Sequence, residues 1–327
     1  MLKVLISDYP NVLAERDLSI EVNLLKELLP ADSEISVYPY VNEDEFIERM
    51  SGVDVLLTAF LPLGETVLEH FPDLKGIAVN ATGTNTIDLD YAEKLGIAVR
   101  HLGAYSTEDV ANHTISLLLA FNQKLFLHRK YIEAGFWNYQ KVGNVKRLSS
   151  QTLAIFGLGR IGQAVAKRAQ SFGMTVIAYD PFLPEKVADE LGVKLVSIET
   201  IQAQADVISL HLFANSANKH FFNRAFFKGL KKPIIFINVA RGSLVDELAL
   251  AEALDEGKVI GAGLDVLESE NPDLSENPFI GRDNVLITPH AAFYSQESLD
   301  TLQTQTVKNA VAILKEYHHE IRNPRSL

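Results

Sequence analysis

Short apolar runs alternate with amphipathic stretches along nearly the whole chain. Runs at 2–7, 34–39, 54–58, 75–79 and 97–99 predict strands, and the segments 17–29, 43–50, 64–70 and 86–94 between them predict helices. Alternation of this kind, with short connections, predicts a largely parallel sheet covered by helices. A longer helical pattern covers 107–130, with Thr107 placed to cap it and Glu108 and Asp109 in its first turn. Its apolar stretch ISLLLAF is dense enough to be buried between domains or subunits. The following GFWNYQKVGNVKRLSS (135–150) has no clear period and predicts a surface connection.

A second series begins at 152. Strands are predicted at 152–156, 175–179, 207–210, 233–238, 260–264 and 285–287, the six that a doubly wound nucleotide domain needs. Helices are predicted at 161–171, 185–191, 221–227 and 245–256. After Pro289 a last helical pattern runs over 295–315, and the polar tail HHEIRNPRSL is expected to fray. That last helix comes too late and is too short to form its own domain. It packs most economically on the first series. The expected domains are therefore residues 1–101 plus 290–327, discontinuous, and residues 102–289, with a cleft crossed near 101–110 and 288–292.

Residues 152–180, TLAIFGLGRIGQAVAKRAQSFGMTVIAYD, carry the strongest local pattern. Gly157 permits a tight turn, Gly159 lets a pyrophosphate approach the backbone, and Gly162 permits close helix–strand packing. The helix that follows directs unpaired N–H groups at phosphates, and Arg160 adds a charge in the loop. Asp180 ends the second strand, where a carboxylate accepts ribose hydroxyls and repels a 2′-phosphate. Only Pro181-Phe182-Leu183-Pro184 follow, with no arginine, so NAD is expected over NADP.

Composition narrows the chemistry. The 327 residues suffice for about two domains, and a 47% apolar fraction supplies their cores. A formal net charge of −12 argues against a nucleic-acid surface, although one buried arginine can still bind a carboxylate. The absence of cysteine excludes disulfides, thiolate catalysis and Cys-ligated metal centres, and no metal site is expected. MLKVLISDYP reads as a strand, not a signal peptide, and no run approaches 18 uncharged apolar residues, so no membrane association and a cytoplasmic location are expected.

Three polar residues follow buried-looking runs in the second half. Arg241 follows IIFINVA, Glu270 follows IGAGLDV by a few residues, and His290 follows VLIT and Pro289. Parallel sheets place ligands at such strand ends. Carbonyl reduction needs a proton donor to oxygen as hydride reaches carbon, and histidine suits this role. A carboxylate would fix its tautomer, and an arginine would hold and polarise a substrate carboxylate and its neighbouring carbonyl. Each residue also has a plain structural reading: a strand-end histidine bonded to backbone, a turn at Arg241-Gly242-Ser243, and a solvated glutamate in an acidic loop.

The chain resembles the D-2-hydroxyacid dehydrogenase family over nearly its whole length. The matching stretches are ATGTNTID (81–88), TEDVANHTISLLL (107–119), the glycine loop, DVISLHL (206–212), NVARGSLVD (238–246), GLDVLESE (263–270) and ITPHAAFY (287–294). The resemblance implies a flavodoxin-like substrate domain, a doubly wound NAD-binding domain and an interdomain cleft. It implies that Arg241 orients a 2-oxo acid, that His290 is the acid–base group and that Glu270 bonds its other nitrogen. Asp265 would bond the nicotinamide carboxamide, His211 would line the cofactor side, and Ile161 and Ala240 complete the cofactor contacts. Thr82 and Gly83 would bind the substrate carboxylate, and a homodimer through the nucleotide domain is implied. Three positions depart from the family pattern: Asn112 for glutamate, Phe213 for proline and Ser150 for glycine.

Ala59-Phe60-Leu61-Pro62-Leu63 contains no basic residue, so a phosphorylated substrate would lack partners there. Phe60 and Leu61 predict an apolar pocket wall, unless one or both are simply core. Phe293 and Tyr294 match the pocket-shaping aromatics of the D-lactate and D-2-hydroxyisocaproate branch. A small 2-oxo acid with an apolar side chain is the expected substrate. The alternatives are glyoxylate or hydroxypyruvate reduction and a non-enzymatic, corepressor-like NAD(H) sensor.

Overall fold

The computed structural model describes every residue except Glu15, Asn85, Asn271 and 318–327, so the expected fraying of the tail lies outside the described residues. The chain forms two compact units, one of Met1–Tyr105 with the segment from Ser295 onward, the other of Ser106–Tyr294.

The first unit holds β1 (Lys3–Asp8), β2 (Glu34–Pro39), β3 (Val55–Thr58), β4 (Gly76–Val79) and β5 (Ala98–Arg100). They form a parallel sheet in the order β2-β1-β3-β4-β5, the flavodoxin-like arrangement. Every residue of β3 and β4 is buried, as expected for strands covered on both faces. One face is covered by the helix Gln296–Tyr317, which buries Leu302, Thr306, Val307, Ala310, Val311, Ile313 and Leu314 at helical spacing. It sits close because Gly76 lacks a side chain: a Cβ there would lie 2.7 Å from Ile313 Cγ2.

The second unit holds β6 (Thr152–Phe156), β7 (Thr175–Tyr179), β8 (Lys194–Leu195), β9 (Val207–Leu210), β10 (Ile234–Asn238), β11 (Val259–Leu264) and β12 (Val285–Ile287). All pair in parallel, in the order β12-β11-β10-β9-β6-β7-β8. The order in which successive strands are added reverses between β6 and β9, the switch point where such sheets bind ligands. The helix Arg160–Ser171 buries Gly162, Val165, Ala166 and Ala169, one narrow face of small residues. The helix Thr107–Asn122 packs over β11, where Cβ atoms on Gly261 and Gly263 would lie 2.7 Å from Phe121 and 3.2 Å from Leu117.

Some expectations require correction. The pattern over 107–130 is two helices, Thr107–Asn122 and Leu125–Glu133, separated by Lys124 at φ +52°. The Lys124 ammonium donates to the Val142 carbonyl at 2.6 Å, a tertiary bond that holds the break. Ser106, not Thr107, occupies the cap position, without a side-chain capping bond. The helices Pro10–Ala14 and Ile198–Gln204 and the two-residue β8 lie in segments with no element assigned from the sequence. The segment through Tyr294 belongs to the nucleotide unit, so the compact boundary falls beyond the expected 289. Hydrogen bonds explain the shift: His290 N–H donates to the Asp265 carbonyl, and Ala291 and Ala292 N–H donate to its carboxylate.

Candidate active site

The glycine loop joins β6 to the helix Arg160–Ser171. Gly157 has φ +88°, and a Cβ there would lie 2.7 Å from the His211 carbonyl oxygen. A Cβ on Gly162 would lie 2.2 Å from the Gly157 carbonyl oxygen, so only glycine lets the helix close on the turn. Gly159, the helix cap residue, has nothing within 4 Å of its Cβ position. Two glycines are therefore needed by the protein itself, and the third faces open space beside unpaired helix N–H groups. That arrangement fits a pyrophosphate. Arg160 is exposed in the first helical turn, and Ile161 packs half-buried against the core.

The Asp180 carboxylate accepts the Leu158 N–H at 2.9 Å and the Phe182 N–H at 3.0 Å, which fixes a negative charge between the glycine loop and the next loop. Across the switch point, His211 follows β9. Its Nε2 lies 2.9 Å from Ser209 Oγ, while Nδ1 is buried without a protein partner. Burial pushes its pKa down to about 3, so the ring is neutral at physiological pH. A neutral ring with a spare nitrogen at this position fits a bound dinucleotide.

Arg241, Glu270 and His290, the three candidate reacting residues, lie in the same unit. Asn238, buried at the end of β10, donates through Nδ2 to the Arg241 carbonyl at 3.0 Å and accepts the Ala240 N–H at 3.0 Å. The Arg241 guanidinium donates through Nη1 to the Ala240 carbonyl at 2.7 Å. Glu270 Oε2 lies 2.7 Å from His290 Nδ1. Burial acts to raise the Glu270 pKa, but the hydrogen bond from His290 and the charges of His290 and Arg241 outweigh it, leaving it below the ordinary value. An ionised carboxylate only accepts, so His290 Nδ1 carries a proton and Nε2 is the nitrogen left to exchange one. His290 has φ +50°, a left-handed backbone that costs a non-glycine residue ~1–2 kcal/mol. Such strain persists only where surrounding bonds enforce it.

Asp265 supplies those bonds. It is 1% exposed, its carbonyl accepts the His290 N–H at 2.8 Å, and its carboxylate accepts Ala291 N–H at 2.8 Å, Ala292 N–H at 3.0 Å and the Thr288 hydroxyl. The sequence-based expectation gave Asp265 a nicotinamide contact. The bonds that its carboxylate accepts from Thr288, Ala291 and Ala292 also hold the His290 turn.

A model of the D-isomer-specific 2-hydroxyacid dehydrogenase NAD-binding domain matches residues 115–292. The chain belongs to this family. It is 35% identical over 278 residues to a glycerate dehydrogenase of Methylorubrum extorquens, covering 83% of this chain and 86% of that one. It is also 35% identical over 291 residues to a D-3-phosphoglycerate dehydrogenase of Methanocaldococcus jannaschii, covering 88% of this chain but 55% of that one, so it spans about half that relative's length. The structure of a D-lactate dehydrogenase from Aquifex aeolicus, complexed with NAD and lactic acid, superimposes with a TM-score of 0.85 at 31% identity, covering 97% of both chains.

Family membership makes the second unit an NAD-binding domain. The remaining expected site residues divide between the units. Phe293 packs half-buried, with its ring centroid 6.3 Å from that of His290, and Tyr294 is exposed. In the first unit, Phe60 is exposed just beyond β3, and Thr82, just beyond β4, donates to the Gly103 carbonyl at 3.1 Å next to half-buried Gly83. Leu61 is core, not pocket wall. Sequence reasoning missed Asp8, whose buried carboxylate accepts the Ala59 N–H at 2.5 Å and the Phe60 N–H at 3.2 Å. Its signal was a carboxylate ending the apolar run KVLISD, the same signal that Asn238 gives after IIFI.

Proposed function

We propose that this protein is an NAD-dependent D-2-hydroxyacid dehydrogenase that reduces a small 2-oxo acid reversibly, with Arg241, Glu270 and His290 as its reacting set. The observation that carries this reading is the His290–Glu270 pair at 2.7 Å in the unit that holds the glycine loop. When bound, NADH supplies hydride to C2 of the substrate. Arg241 holds the substrate carboxylate and polarises the carbonyl. His290 gives its Nε2 proton to the carbonyl oxygen and recovers it in the reverse direction. Glu270 keeps the imidazole in the required tautomer and stabilises the imidazolium. Asp180 accepts ribose hydroxyls and disfavours a 2′-phosphate, and the spare His211 nitrogen faces the cofactor.

In the first unit we assign Phe60, Thr82 and Gly83 to substrate, because they lie at the carboxyl edge of its parallel sheet. Phe293 and Tyr294 are the corresponding assignments in the second. Phe60 and the lack of any basic residue in 59–63 favour an apolar side chain of the D-lactate or D-2-hydroxyisocaproate kind over a phosphorylated one. Similarity to a glycerate dehydrogenase favours hydroxypyruvate or glyoxylate as the second reading. We further propose that two copies associate through the NAD-binding unit.

NADH oxidation against pyruvate, 2-oxoisocaproate, glyoxylate, hydroxypyruvate and phosphohydroxypyruvate, repeated with NADPH, tests the reading. Apolar 2-oxo acids should give the highest kcat/KM. His290→Gln should lower kcat by ~10²–10⁴-fold, the usual worth of a general acid–base group, with NADH affinity retained. Undiminished turnover in H290Q would overturn the mechanism, and tight NADH binding without turnover on any acid would favour the sensor.

A further inference from the structure

Beneath the His290 turn lies a polar chain that reaches a second histidine. His113, on the helix Thr107–Asn122, places Nε2 3.1 Å from Thr288 Oγ1 and 3.7 Å from Asp265 Oδ1. The Thr288 hydroxyl in turn donates to Asp265 Oδ1. A hydroxyl has one hydrogen, and here the carboxylate takes it. Towards His113 the Thr288 oxygen can therefore only accept, so His113 Nε2 must carry a proton. Direction is thus fixed along the chain: His113 donates to Thr288, and Thr288 donates to Asp265. Asp265 then receives the N–H groups of Ala291 and Ala292, and its carbonyl receives that of His290. These bonds enclose the one residue of the reacting set with a left-handed backbone.

We propose that His113 is a positioning residue for His290, acting through Thr288 and Asp265, and not a packing residue of the helix alone. Asp265 is buried, and its carboxylate needs donors on every side to keep one orientation. Thr288 is one of them, and His113 fixes the rotamer in which its hydrogen points at Asp265. Without His113 the hydroxyl is free to turn, the carboxylate can rotate, and the turn that aims the His290 imidazole at Glu270 loosens. The inference rests on the dehydrogenase reading for its effect on turnover, but the coupling itself exists without turnover.

The test compares His113→Phe, which keeps a ring but removes the donor, with His113→Gln, whose amide can still donate to Thr288. Thr288→Val and the double variant H113F/T288V complete a cycle. In single-turnover reduction, H113F should slow hydride transfer by about tenfold, the scale of one lost hydrogen bond, with the NADH dissociation constant within about twofold of wild type. H113Q should recover most of the rate. Because both residues act on one carboxylate, the double variant should be no slower than T288V alone. Long-range 1H–15N spectra of the imidazoles give the readout that needs no activity. His113 should be protonated at Nε2, and the His290 ring signals should move in H113F and return in H113Q. An unchanged rate in H113F, additive losses in the cycle, or His290 signals indifferent to H113F would each overturn the proposal. If the wild type reduces no 2-oxo acid, the functional reading fails, while the spectra still decide whether His113 acts on His290.

Discussion

At the scale of single residues, the Glu270–His290 pair makes the candidate site more than a collection of strand-end polar groups. Its members lie 20 positions apart, and Glu270 stands in a loop with Glu268 and Glu276. Local composition therefore describes it as a solvated carboxylate, and only the fold supplies the partner. His290 was legible as a histidine behind a strand and a proline, but its φ of +50° was not, because the bonds that impose it come from Asp265. The pair has a pH signature. Its bond to His290, with the positive charges of His290 and Arg241, overcomes burial and lowers the Glu270 pKa below the ordinary 4.5. A lowered folded-state pKa contributes stability that is present above 4.5 and is lost as pH falls through the folded value. Thermal unfolding of wild type and Glu270→Gln should thus differ at pH 6–7 and converge as pH falls through that lowered value. Glu270 is half exposed, so solvent screening holds the neutral-pH gap to about 1 kcal/mol or less. A gap that widened on acidification would contradict the pairing.

Among the elements, legibility followed locality. The strand, glycine loop and helix of 152–171 were readable because turn, cap and packing face lie within twenty residues. The break at Lys124 was not, since neither glycine nor proline marks it and its bond is to Val142. The approach of two strand-end loops was equally hidden. Gly242, between Arg241 and Ser243, faces the loop after β11: a Cβ there would lie 1.8 Å from the Leu267 carbonyl oxygen and 2.5 Å from Glu268 N. These are backbone atoms with no side chain to swing aside, and they lead directly to Glu270. Gly242→Ala should therefore separate the loop that carries Arg241 from the loop that carries Glu270. Overpacking of this kind costs ~1–3 kcal/mol, which calorimetry would record as a lower Tm. Activity should fall further than stability explains, with a raised KM for the 2-oxo acid, because the two charged groups lose their register. Gly159→Ala is the contrast. Its Cβ meets nothing in the protein, so stability should be nearly unchanged while NADH affinity weakens at the crowded pyrophosphate.

On the scale of the whole molecule, the most conspicuous surface is an apolar stretch of the NAD-binding unit. The helix Leu125–Glu133 buries none of its residues, and Leu125, Ile132, Phe136, Trp137 and Tyr139 stand exposed along one continuous stretch of chain. A helix of nine residues is too short to be stable by propensity alone. An apolar arm of this kind is expected to be covered, and a second copy of the chain supplies an occupant that is always present at matching concentration. Net charge does not forbid this, because −12 spread over 327 residues is screened beyond ~8 Å at physiological ionic strength. Trp137 is the only tryptophan and is 93% exposed in the single chain, so its emission reports the arm and nothing else. Light scattering should give twice the chain mass at micromolar concentration. Emission should shift to the red on dilution as the indole enters water. Ile132→Glu with Trp137→Glu should yield a folded monomer that still binds NADH, since both side chains are exposed and neither belongs to the proposed cofactor site. A wild-type protein of single-chain mass at every concentration, with Trp137 emission red-shifted throughout, would remove the dimer and leave the arm as an ordinary exposed surface.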